Sequence, residues 1–158
     1  MRRAYPRVVL DTNILIQAFL NPLGPSGLCF DLARERQIQL FVSELTLSEI
    51  EEVIARPGIR SLIPQNSVEQ VDRFLAEIKI VAYHADEANG VFRLDRDPKD
   101  EMIVELAVGC DADYIVSWDD DLLELMTGFD TASKEFRQRF RGLKVLDPNE
   151  FLKTIDKS

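Results

Sequence analysis

Apolar residues along the chain fall into short runs and helical stripes that alternate, and that alternation sets the expected architecture. Val8, Val9 and Leu10 form a brief run rich in β-branched residues and bounded by polar ones, which predicts a buried strand. The run stops at Asp11, and apolar positions resume at Ile14, Leu15, Ile16, Ala18, Phe19 and Leu20, so a strand hands over to a helix across three polar residues. Asn21-Pro22-Leu23-Gly24-Pro25 reads as a loop, and Ser26 is the expected N-cap of a helix carrying Leu28, Cys29, Leu32 and Ala33. Gln39 to Val42 predicts a second strand. Ser43 then opens a helix over Glu44 to Ala55 that Pro57-Gly58 ends.

Asn66 and Glu69 have capping-box spacing for a helix through Val71, Phe74, Leu75 and Ile78. Lys79 to Tyr83 reads as a third strand, with the only histidine, His84, just past it. Asp97-Pro98 fits an N-cap followed by proline in the first turn of a helix whose apolar face is Ile103, Val104, Ala107, Val108 and Cys110. Tyr114, Ile115 and Val116 repeat the opening pattern and lead into Asp119-Asp120-Asp121 and a short helix over Leu122 to Leu125. Val145 and Leu146 make a last short strand, and Asp147-Pro148 caps a terminal helix with Phe151, Leu152 and Ile155. Strands alternating with helices imply an α/β sandwich around a mainly parallel sheet, expected to form one domain over residues 1–158.

Composition refines this picture at four points. A chain of 158 residues that is 46% hydrophobic can supply a real core. Cys29 and Cys110 both lie in apolar helical patterns without metal-type spacing, so buried free thiols are expected rather than a disulfide. The start Met-Arg-Arg-Ala-Tyr-Pro lacks the apolar core of a signal peptide and no apolar run spans a bilayer, which makes the expected location cytoplasmic. The net charge of −9, from 28 acids against 19 bases, argues against coating nucleic acid through bulk positive charge. It leaves room for a nuclease, which needs acids for cations and only a local basic surface.

Several carboxylates stand where chemistry is expected. Asp11 lies at the carboxyl end of a central strand, the ligand edge of an open α/β sheet; the alternative is a simple helix cap. Glu49 and Glu51 flank the stripe of Leu47, Ile50, Val53 and Ile54 on opposite sides while Glu52 points away, and periodicity does not choose between the first two. Asp100 projects near the centre of an apolar face, costly unless it meets a cation or donors, or unless it reaches back to the Asp97 amide as a capping box. Two parallel strands present their carboxyl ends on one edge, so Asp11 and Asp119 are expected neighbours. Carboxylates crowded in this way call for a bound cation, and oxygen-only ligation suits Mg²⁺ or Mn²⁺. Phosphodiester hydrolysis is the usual chemistry of such a site. His84, with no second histidine to join it, reads as a loop residue. Lys134, Arg137, Arg139, Arg141 and Lys144 reverse the local charge, as a phosphate-contacting edge or as a solvated basic loop.

Asp11-Thr12-Asn13, Thr46-Leu47-Ser48-Glu49-Ile50, Asp97-Pro98-Lys99-Asp100 and Ser117-Trp118-Asp119-Asp120-Asp121-Leu122 resemble, in order, the four acidic motifs of PIN-domain ribonucleases. The likeness is greatest to the toxin components of toxin–antitoxin systems and includes the Pro148-Asn149-Glu150-Phe151-Leu152 ending. It implies a three-layer α/β/α sandwich with sheet order 3-2-1-4-5. The implied principal acids are Asp11, Glu49, Asp100 and Asp119, with Asp121 as an auxiliary metal ligand and Thr12, Asn13 and Ser117 in support. Divalent-metal-dependent RNA cleavage, a cognate antitoxin and frequent homodimerisation are implied with them. Trp118 departs from the small residue usual in relatives; it is a candidate base contact alongside Arg137, Arg139 and Arg141, or else packs on the neighbouring helix. Two other readings compete: an aspartyl-phosphate phosphatase with Asp11 as nucleophile, and a non-catalytic module that binds RNA or protein.

Overall fold

The computed structural model describes residues 5–64, 67–94 and 97–156. Five strands, β1 (Arg7–Leu10), β2 (Gln39–Val42), β3 (Tyr83–His84), β4 (Tyr114–Val116) and β5 (Lys144–Leu146), form one sheet in the order β3-β2-β1-β4-β5, every pair parallel. The helices are α1 (Thr12–Leu20), α2 (Pro25–Arg34), α3 (Glu44–Ala55), α4 (Pro57–Arg60), α5 (Val68–Val81), α6 (Pro98–Gly109), α7 (Asp120–Leu123), α8 (Thr131–Arg139) and α9 (Pro148–Asp156). A 3-10 turn, Glu124–Met126, follows α7.

The strand period of two divides the core into two layers. Val8, Leu10, Leu40, Val42 and Val116 face one way, into a cluster with Ile14 and Leu15 of α1, Phe30 of α2, Ile50 of α3, Ile78 of α5 and Phe151 of α9. Val9, Phe41, Ile115 and Val145 face the other way, against Ile103, Val104 and Leu106 of α6, Leu122 of α7 and Phe136 of α8. Helices therefore cover both faces, which is why the strands read as continuous apolar runs.

Four local expectations are corrected. The segment Lys79 to Tyr83 is not a strand: α5 continues to Val81, because Val71, Phe74 and Ile78 keep helical spacing, and β3 is only Tyr83–His84, both exposed. His84 thus belongs to the strand, not to the loop after it. Gly24, with Pro25 at the first helical position, is the N-cap of α2, and the Ser26 hydroxyl instead bonds Gln17 Oε1 at 3.0 Å. The short helix expected at Leu122 to Leu125 begins earlier, at Asp120. Much of the basic run lies on a helix that periodicity did not reveal: α8 is capped by Asp130, which accepts from Ser133 N at 3.2 Å and Ser133 Oγ at 2.6 Å. The Asn66 half of the expected capping box lies outside the described residues. Cys29 and Cys110 are buried free thiols, raised by burial to about 12 and about 11. Among the described residues no helix is long and apolar enough to cross a membrane.

The segment after β3 leads towards Asp97 and the start of α6. It lies on α6 so closely that a Cβ at Gly109 would fall 2.2 Å from Asp86 O, and Ala88 N donates to Glu105 O at 2.9 Å. Only a glycine fits at that approach.

Candidate active site

Adjacent parallel strands bring the first and last motifs together. Leu10 is in register with Val116, and Asp11 N continues the ladder to Val116 O at 2.9 Å, so Asp11 and Ser117 leave the sheet side by side. Ser117 Oγ donates to Asp11 Oδ2 at 2.6 Å, Thr12 N to Asp11 Oδ1 at 2.8 Å, and Asn13 Nδ2 to Asp11 Oδ2 at 3.4 Å. Asp11 therefore caps α1 and also occupies the ligand edge; the two sequence readings hold together. Burial raises its carboxyl to about 6; the bonds from Ser117 and Thr12 oppose that rise, while the charges of Glu49 and Asp119 add to it. The buried Ser117 hydroxyl also accepts from Asp119 N at 2.9 Å, a second tie within the same edge.

Glu49 arrives on α3, whose start is fixed by a capping box of Ser43 and Thr46 at the end of β2. Its Oε2 accepts from Thr12 Oγ1 at 3.1 Å, and its Oε1 lies 3.8 Å from Lys99 Nζ. Glu51 faces Lys79 at 3.7 Å and Glu52 faces Arg56 at 3.4 Å. Geometry thus brings Glu49, and not Glu51, beside Asp11, a choice that helical periodicity left open.

Asp100 sits on the first turn of α6 and is 3% exposed, yet its Oδ2 has no hydrogen-bond partner among the described residues. The capping-box alternative does not form, because the Asp97 amide donates to Leu94 O at 3.1 Å. Burial, then the charges of Asp119, Asp97, Asp11 and Asp121, push the Asp100 carboxyl up to about 8. Asp97 caps α6 by accepting from Lys99 N at 3.0 Å, and Asp119 caps α7 by accepting from Asp121 N at 2.8 Å. Asp97, Asp100 and Asp119 each offer a carboxylate oxygen, all within 4.8 Å of one another.

Asp97 is the residue that sequence reasoning missed. Its capping role was legible and hid a second one, although an i,i+3 spacing from Asp100 places both over the same turn. Asp121 contributes charge to Asp100 but is not among the three whose oxygens converge.

The candidate RNA contacts fare differently. Trp118 is half-buried against the core; its Nε1 donates to Ser26 Oγ at 3.0 Å and its amide to Asn13 Oδ1 at 3.4 Å, so the indole packs between the site and α2. Arg137 donates to Leu125 O at 2.9 Å and Gly128 O at 2.7 Å. Arg139 pairs with Glu135 at 2.9 Å and lies over the Phe140 ring, while Arg141 is exposed.

A buried carboxylate oxygen that is unpartnered among the described residues, within a converging group that among those residues is all carboxylate, fits a hard divalent cation. Fold and site together define a doubly covered parallel α/β protein with a cluster of acidic side chains at the carboxyl edge of its sheet. Residues 7–121 match the family model of the PIN domain, and the chain belongs to the PIN domain family. Members of that family are generally metal-dependent nucleases. The chain is 27% identical to the uncharacterized protein MJ1680 of Methanocaldococcus jannaschii, over 99% of this chain and 96% of that protein. Among solved structures it is similar to the PIN domain of RRP44 from T. brucei, with a TM-score of 0.48 and 13% identity over 97% of this chain and 80% of that one.

Proposed function

We propose that the chain is a divalent-metal-dependent endoribonuclease that cleaves RNA phosphodiester bonds, with Asp11, Glu49, Asp100 and Asp119 as its principal acids. The observation that carries this reading is the buried Asp100 Oδ2, without a hydrogen-bond partner among the described residues, on a carboxylate that converges with those of Asp97 and Asp119. Asp97, Asp100 and Asp119 would hold Mg²⁺ or Mn²⁺, with Asp121 adding negative charge nearby. When bound, the cation supplies Lewis acidity toward the phosphodiester and neutralises the carboxylates. The chain's own residues set the geometry. Ser117 and Thr12 clamp both oxygens of Asp11 and present the carboxylate in one orientation. Asn13 links that carboxylate to the Trp118 backbone, which ties the first motif to the last. Asn13 also weakens the phosphatase reading, since a general acid is wanted at that position and an amide has no proton to transfer.

Purified protein incubated with RNA and Mg²⁺ or Mn²⁺ tests the proposal. Cleavage abolished by EDTA and by Asp11→Asn supports it; cleavage indifferent to both overturns it. The non-catalytic reading predicts instead that no cation binding is lost in Asp100→Asn.

The ordered motifs extend the proposal to cell biology: a cytoplasmic toxin that cuts RNA, associates as a homodimer and is neutralised by a cognate antitoxin. Induced expression then halts growth and Asp100→Asn does not, whereas equal toxicity of the two forms would separate the growth effect from this site. Light scattering on the purified chain checks the dimer.

A further inference from the structure

We propose that the site takes a single divalent cation, on Asp97, Asp100 and Asp119, and that the Lys99 ammonium held at Glu49 supplies the second positive charge to the RNA phosphate. The inference deepens the nuclease reading and rests on it. It begins with which carboxylate oxygens are already engaged. Both oxygens of Asp11 accept hydrogen bonds, from Ser117, Thr12 and Asn13. Both oxygens of Glu49 are likewise engaged, one by the Thr12 hydroxyl and the other by Lys99. Asp97 and Asp119 differ in that a backbone amide takes only one oxygen of each, and with them converges Asp100, buried with an Oδ2 that has no partner among the described residues, so here a cation is called for.

A two-cation arrangement would need the second ion to displace Lys99 from Glu49, the acid that shares Thr12 with Asp11. Lys99 is built into the site rather than drifting over it. Its amide N–H is bound by the Asp97 carboxylate, Pro98 precedes it in the first turn of α6, and it lies between two of the three proposed ligands in sequence. Its side chain is 58% exposed while that of Glu49 is 15% exposed, so the ammonium stands on the solvent side of a sheltered carboxylate. At 3.8 Å the pair is an ion pair without a tight hydrogen bond. A flexible four-carbon stem lets such an ammonium turn from Glu49 to an arriving phosphate. A strand of RNA approaching an acidic pocket would then meet the bound cation and Lys99 together.

Titrating the full chain with Mn²⁺, followed by calorimetry and by the EPR signal of free Mn²⁺, counts the cations; one equivalent is expected, and two would overturn the proposal. Binding of a labelled ten-nucleotide single-stranded RNA, measured with Mn²⁺ in an Asp11→Asn background across a salt series, tests Lys99. Lys99→Met is expected to weaken binding about tenfold at low salt and to lower the slope of log Kd against log salt by about 0.7, the loss of one phosphate contact, while Lys99→Arg retains it. An unchanged slope in Lys99→Met would make Lys99 a mere counter-ion of Glu49 and sink that half. A chain with Lys99 intact that binds no RNA removes the nuclease reading and the Lys99 role with it, while the cation count still decides the metal half.

Discussion

The carboxyl edge of the sheet crowds acids and helix α8 gathers three bases against one acid, yet they treat that charge in opposite ways. At the sheet edge, Asp100 is buried with an oxygen that bonds nothing among the described residues, and its neighbours Asp97, Asp119 and Asp11 deepen the repulsion. Along α8, Arg137 gives its guanidinium to two carbonyls and Arg139 to a glutamate one turn back. Charge that is satisfied locally holds structure together; buried charge left unsatisfied marks where something else must bind. The clearest way to break the comparison is to cross it. Asp100→Asn should abolish cleavage, by more than about 100-fold given what even outer partners of metal ligands cost, and should raise the melting temperature of the metal-free protein. Arg137→Ala should do the reverse, losing about 2–3 kcal/mol in denaturant melts because the Leu125 and Gly128 carbonyls lose their donor, while kcat/KM stays within a few-fold. An inactive but stable Arg137→Ala would place that arginine in the RNA path after all.

A second contrast lies in proton binding, and it sharpens the first. Asp11 and Asp100 hold their protons to about 6 and about 8 in the fold, against 3.8 when unfolded. For a carboxyl raised in this direction the folded state binds the proton more tightly, so its stabilising contribution is complete below about pH 4. It is lost as the pH climbs through the folded values. Divalent cation reverses this, since ligands must be deprotonated to bind it. Thermal melts in EDTA should therefore show this contribution fading between about pH 4 and 8, with the gap between Mn²⁺ and EDTA curves widening as pH rises. A gap that is constant with pH would mean that the cation does not bind at these carboxyls.

The same contrasts account for how much of the molecule could be read from the chain alone. Both core layers followed from Val8-Val9-Leu10, Leu40-Phe41-Val42 and Tyr114-Ile115-Val116, because strands buried on both faces leave an unmistakable apolar run. Asp11 and Asp119 were legible as neighbours because parallel strands share a carboxyl edge. The sheet order came from the ordered acidic motifs and their family likeness. β3 was not legible: an exposed two-residue edge strand buries nothing, and the apolar stripe of α5 runs on past Ile78 and masks where the helix ends. Helix α8 was hidden because six of its nine residues, Thr131, Ser133, Lys134, Glu135, Arg137 and Arg139, are hydroxyl or charged, and its amphipathic signal rests mainly on Phe136. Asp97 escaped because capping explained it completely at the level of sequence, although the fold also brings its carboxylate against those of Asp100 and Asp119.

Trp118 provides the smallest and most local test, since it stands beside the acids and yet is held as structure. Its indole N–H reaches Ser26 Oγ at 3.0 Å, and Ser26 in turn reaches Gln17, so a chain of hydrogen bonds joins the Asp119 loop to α1 and α2. Trp118→Phe keeps most of the packing and deletes the donor. Because Ser26 retains its bond to Gln17, the loss should be close to that of one ordinary hydrogen bond, about 1 kcal/mol. RNA affinity should be unchanged in the same salt series used for Lys99. A Phe variant that folds normally but binds RNA several-fold more weakly would show that the indole touches a base, and would move Trp118 from the satisfied, structural side of the contrast to the side that waits for a ligand.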